Sequence, residues 1–108
     1  MPAADGSIKV KHDNNGNYSI NVNVIHLAAP EQLTPAKKTY VVWVNTKEHG
    51  QKNLGKLAIH TGLFSKSLKG SLQTVTPYKP ESIYITAEDE GNRTYPGPQV
   101  VLTTGTLN

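Results

Sequence analysis

The chain's side chains limit what chemistry it could do. There are four histidines, His12, His26, His49 and His60, and no cysteine. A metal held on a strand needs its ligands on one face at alternate positions, and no HxH, HxxxH or His-carboxylate spacing supplies them. His12 and His26 bracket the first strand pair and are expected to be half-buried at its ends, whereas His49 in a turn and His60 on a strand read as surface. The absence of cysteine removes a thiolate nucleophile, a disulfide scaffold and a Cys-based zinc site. Two oxygen-rich stretches, Asp13-Asn14-Asn15 and Glu88-Asp89-Glu90 with Asn92, lack the spacing of a calcium loop. Asp13 is expected to cap a turn, and the acidic run to form a solvated turn that keeps a sheet edge soluble. No G-x-S-x-G, S-x-x-K or glycine-rich phosphate motif is present, and a core this small leaves little volume for an enclosed active site. The expectation is a non-enzymatic chain with no catalytic, cofactor-binding or metal-ligating residue.

Binding is a different matter. Tyr78, Tyr84 and Tyr95 gather late in the chain, Tyr84 falls on the outward parity of its strand, and Arg93 lies close by. Exposed rings stack on sugars and peptides, so Tyr84, Arg93 and Tyr95 form the candidate recognition surface, with a glycan or peptide as the ligand. Eleven Lys and Arg against eight Asp and Glu give a net charge of +3, spread along the chain, which argues against a nucleic-acid partner. Asn17-Tyr18-Ser19 and Asn92-Arg93-Thr94 fit the N-glycosylation pattern.

The elements that must position these residues are strands. At 108 residues the chain is a single domain, 1–108, with residues 1–6 and 105–108 expected to be flexible. Apolar residues alternate at period 2, and no stretch keeps a helical period for three turns. About seven strands are expected, at 7–13, 17–27, 38–46, 53–60, 67–75, 81–88 and 98–104, separated by turn signals such as Asn15-Gly16 and Pro96-Gly97-Pro98. That pattern predicts an all-β fold, an immunoglobulin-like antiparallel β-sandwich.

The first hairpin can be read in detail. A two-residue Asn15-Gly16 loop would pair Val10 with Asn21, mixing apolar and polar partners. A three-residue loop of Asn14, Asn15 and Gly16 pairs Val10 with Ile20, Ile8 with Val22 and His12 with Tyr18, leaving Lys9 and Lys11 outside. Gly16 then takes the position that needs positive φ. Further along, Ile25 and Leu27 fall on the opposite parity to Tyr18, Ile20, Val22 and Val24, which predicts a bulge near Val24-Ile25. Tyr40-Val41-Val42-Trp43-Val44 is apolar on both parities and predicts a central strand, with Tyr40 and Trp43 as structural core. Leu68, Gly70 and Leu72, and later Ile83, Ile85 and Ala87, are the inward sets of their strands. Ala28 to Ala36, with two prolines, is expected to be an ordered loop crossing between sheets.

From residue 40 onward the order of features is more specific. Tyr40-Val41-Val42-Trp43-Val44, Leu54-Gly55-Lys56-Leu57, Ile83-Tyr84-Ile85-Thr86-Ala87-Glu88 and Pro96-Gly97-Pro98-Gln99-Val100-Val101-Leu102 follow one another. This resembles the extracytoplasmic C-terminal domain of bacterial anti-sigma factors of the anti-sigma-K type. Where that family usually has a Gly-Gly pair after the Glu, this chain has Asp89-Glu90-Gly91-Asn92-Arg93. The resemblance implies a non-catalytic sensory or protein-interaction domain outside the cytoplasm, with a protein partner in a sigma-regulatory system. It also implies a transmembrane helix and a cytoplasmic sigma-binding region upstream. No stretch here reaches the roughly 18 apolar residues of a membrane span, and Met1-Pro2-Ala3-Ala4-Asp5 reads as a short added leader, so the anchor is expected to have been removed. The alternative is a free secreted or periplasmic module that binds a glycan or peptide.

Overall fold

The pairing preferences of the first hairpin decide how the sandwich starts. In the computed structural model, which describes residues 5–61 and 68–103, β1 (Asp5–His12) pairs with β2 (Tyr18–Leu27) in the register that sets Val10 against Ile20, Ile8 against Val22 and His12 against Tyr18. Gly16 has φ +81°, as the three-residue loop requires. Asp13 caps the turn: its Oδ1 accepts the backbone N–H groups of Asn15 and Asn17 at 2.8 and 3.0 Å. The strand begins earlier than expected, because Asp5 and Gly6 already pair with Ile25 and Val24. Residues 1–4 and 104–108 lie outside the described residues. β1 is an edge strand, and of its inward set only Ile8 packs on the core while Val10 is 37% exposed.

The remaining elements are a 3-10 turn at Pro30–Gln32, β3 (Thr39–Thr46), β4 (Gly50–Lys56), β5 (Ala58–Thr61), β6 (Leu68–Thr76), β7 (Pro80–Glu88) and β8 (Val100–Thr103). They form two antiparallel four-stranded sheets, β1-β2-β6-β5 and β4-β3-β7-β8. This is the order of an immunoglobulin-type sandwich, A-B-E-D against C-F-G, with β4 added beside the C-equivalent strand β3. Inward residues of both sheets interlock, among them Ile20, Val22, Val24, Leu27, Tyr40, Val42, Val44, Ile83 and Ile85.

The bulge in β2 lies between Val24 and Leu27, where His26 adopts φ 57°. It returns Leu27 to the core and leaves Ile25 42% exposed, so it corrects the parity of one residue of the pair. β3 is central, and Tyr40 through Val44 are all fully buried. The loop from Ala28 to Lys38 does cross from one sheet to the other, seated by buried Pro30.

One expected strand, 53–60, proves to be two. β4 stays with β3 as far as the pair Val41 and Lys56, and β5 joins β6 from the pair Ala58 and Ser71. Buried Leu57 is the link, its N–H donating to the Tyr40 carbonyl at 2.9 Å. A bulge at Leu54 adds twist just before the switch, which helps one extended run serve the edges of two sheets. Among the described residues, eight strands therefore replace the expected seven.

Tyr40 binds this corner at a second point, its hydroxyl donating to the Ala28 carbonyl at 2.6 Å. Burial, and secondarily the charge of Glu31, push the phenol up to about 12. An unfolded tyrosine loses its proton near 10, so between pH 10 and 12 the unfolded chain gives up a proton that the folded one keeps. Stability is therefore expected to fall across that window, by on the order of 1–2 kcal/mol from this group. Half-buried Tyr84, also raised by burial, adds in the same direction. Urea denaturation at pH 9, 10 and 11 should show the decline, and Tyr40→Phe should flatten it.

Candidate recognition sites at the two ends of the sandwich

On β7 the inward residues are Ile83, Ile85 and Ala87, as the alternation predicts, which sends Tyr84, Thr86 and Glu88 to the outer face. Much of that face is shielded from water, with Thr86 and Glu88 buried and Tyr84 half-buried. Trp43, directly across from Tyr84, is fully buried there, with the two rings nearly parallel at a centroid distance of 6.5 Å. The Trp43 indole N–H donates to Thr86 Oγ1 at 2.8 Å, and the Thr86 hydroxyl in turn donates to Glu88 Oε2. The same carboxylate oxygen accepts the Gly97 N–H at 2.7 Å, and Oε1 stands 3.4 Å from Arg93 Nε. Glu88 is only 2% exposed, so the expected solvated acidic turn is corrected at this residue: Asp89 and Glu90 are exposed, and Glu88 is the buried anchor of the following loop. Burying this carboxyl group is tolerated because its oxygens are hydrogen-bonded and lie beside Arg93.

The connection from Asp89 to Gln99 folds back over the outer face. Asn53 Nδ2 donates to the carbonyls of Gly91 and Arg93 at 3.0 and 2.9 Å, and Arg93 Nε donates to the Tyr95 carbonyl at 3.1 Å. At Gly97 a Cβ would stand 2.8 Å from a Glu88 oxygen, so only glycine lets the backbone reach the carboxylate. The result is a loop fixed at several points, from which Tyr95 projects with 73% of its surface exposed.

Of the three residues expected at a recognition surface, the structure brings together Arg93 and Tyr95. Tyr84 is set apart: it is half-buried beside Trp43, and its hydroxyl is buried with no hydrogen-bond partner among the described residues. Arg93 faces both ways, half-exposed and tied to Glu88. Tyr40 and Trp43 are both fully buried, Tyr40 in the core between the sheets and Trp43 on the outer face of its sheet.

The opposite end holds a cleft that sequence reasoning missed. Three turns meet there, from β1 to β2, β3 to β4 and β6 to β7, enclosing about 390 Å³. Thr46 builds the middle turn, its hydroxyl donating to the Gly50 carbonyl and accepting the His49 N–H at 2.7 and 3.0 Å. Tyr18 and Tyr78 line the cleft with His49, Lys47, Glu48 and Lys79. His12 stacks on Tyr18 at 4.6 Å, the His49 ring sits 4.9 Å from that of Tyr78, and Lys52 Nζ lies 5.2 Å above the Tyr78 ring. The sequence groups Tyr78 with Tyr84 and Tyr95, but the structure sets it at the opposite end from Tyr95; Tyr18 reads only as a strand residue, because its partners come from turns far away in sequence.

The histidines are scattered. His12, His26, His49 and His60 are all exposed, so the expected half-burial of His12 and His26 gives way to edge and bulge positions, and His60 pairs with Ser71 Oγ at 3.0 Å. Among the described residues no three His, Cys, Asp or Glu side chains come together to hold a metal ion, and no helix is long and apolar enough to cross a membrane. No family model, curated protein or solved structure matches this chain.

Proposed function

We propose that this is a non-enzymatic protein-interaction domain, the extracytoplasmic sensory part of an anti-sigma-factor-like membrane protein, with the β7 to β8 loop as its contact surface. The observation that carries this reading is the anchored loop holding Tyr95 out in solvent. A loop already fixed in place loses little freedom on binding, so more of its contact energy appears as affinity. A tyrosine on such a loop is a rigid, amphipathic anchor, and the connection between the F- and G-equivalent strands is where variable immunoglobulin domains place one of their recognition loops. The order of Tyr40, Trp43, Glu88 and the Pro96-Gly97-Pro98 step supports the anti-sigma assignment and, with it, an upstream membrane helix.

The test uses the full-length protein in its own cell. A photo-crosslinking residue at exposed Thr94 should give a discrete protein adduct that Tyr95→Ala abolishes while the melting temperature stays unchanged. The same substitution should shift a sigma-dependent reporter. No adduct with an unmoved reporter would overturn the assignment of the loop, and an open reading frame without an upstream apolar helix of about 20 residues would overturn the membrane-regulator part.

A further inference from the structure

The cleft at the far end of the sandwich carries a separate inference. β7 starts beside it at Pro80 and ends at Glu88 under the Tyr95 loop, so the two sites stand roughly 26 Å apart at the rise of a β-strand. The cleft therefore does not depend on the reading of that loop.

Its volume of about 390 Å³ lies within the range of small-ligand sites. Its lining sets two tyrosines and a histidine beside cationic side chains. Lys47 and Lys79 line it, Lys52 stands over the Tyr78 ring, and Glu48 is the one acidic lining residue. Asp13, near the Gly16 side, already accepts two backbone N–H groups. The balance of charge favours an anion. The aromatic rings favour a ligand with flat C–H faces, since the negative face of a π-system attracts such hydrogens.

The walls are turns rather than an open strand edge, so a peptide has no ladder to extend there. A pyranose ring seated in the cleft would pack against the side of the Tyr78 ring not covered by Lys52, and its hydroxyl and carboxylate groups would meet the ammonium, phenol and imidazole groups of the lining. We infer that this cleft binds an oligosaccharide bearing carboxylate groups, of the uronic acid class, with Tyr78 as its stacking platform and Lys47 and Lys79 as its charge partners.

The test is an amide chemical-shift titration of the 108-residue protein with trigalacturonate and, in parallel, with its methyl ester. The acid should give saturable shifts confined to residues 16–18, 46–49 and 77–79, and bind about tenfold more tightly than the ester, an advantage that high salt removes by screening. Tyr78→Ala should abolish the response. Lys79→Gln, at an exposed position that leaves the fold alone, should weaken binding several-fold, and Glu48→Gln should tighten it. Equal binding of acid and ester would overturn the anionic assignment; no saturable shift at these residues with either would overturn the site.

Discussion

Replacing Trp43 with alanine is expected to remove about 3–5 kcal/mol of stability, the range for deleting a large aromatic side chain from a packed interior. Trp43 is fully buried, yet it lies on the outer face of its sheet, beneath a loop rather than between the sheets. The substitution opens a void under that loop, takes the partner from the stacked Tyr84 ring and leaves the Thr86 hydroxyl without its indole donor. Urea denaturation followed by circular dichroism reads the loss, since Trp43 is the chain's one tryptophan. Trp43→Phe keeps most of the packing and should lose about 1–2 kcal/mol, most of it from the missing N–H. A loss below about 1 kcal/mol for the alanine variant would mean that the ring is accessible and would make it a ligand platform instead.

Glu88→Ala is expected to cost about 3 kcal/mol, because it strands three partners at once. The Thr86 hydroxyl and the Gly97 N–H lose their acceptor, and Arg93 loses its counter-charge. The effect should be concentrated in the loop: the Gly97 amide, protected while bonded to the carboxylate, should exchange with solvent far faster. Glu88→Gln keeps the shape and one good acceptor oxygen, so it should recover part of the stability. Unchanged exchange at Gly97 in the alanine variant would show that the loop is held by other contacts and that the carboxylate is incidental.

These two residues show where sequence reading works and where it stops. Alternation placed Ile83, Ile85 and Ala87 inside, and side-chain pairing chose the hairpin register, because both depend on neighbours one or two residues away or directly across a ladder. The same alternation put Glu88 on the outer parity, and from there to water was a step the sequence did not license. What buries Glu88 is a backbone N–H nine residues on, reached through a loop whose return path no local rule encodes. The rigid Pro96-Gly97-Pro98 step, with an arginine following the acidic run, was the available signal. The cleft is hidden for a related reason: Tyr18 at the start of β2 and His49 and Tyr78 in two turns meet only once both sheets are stacked. The split of 53–60 between sheets left no mark on the apolar pattern, since an extended run looks the same whichever edge it joins.

That split strand also has a mechanical meaning. β4 and β5 are one continuous length of backbone with Leu57 as the whole of the connection, so there is no slack between the sheets on that side. Tension applied to one sheet passes through Leu57 to the other, and parting them requires stripping the four-residue ladder of β5 from β6 or peeling β4 from β3. The sandwich is hinged shut along this flank, while the flank formed by β1 and β8, two strands joined to each other by no short connection, is the side on which it can yield.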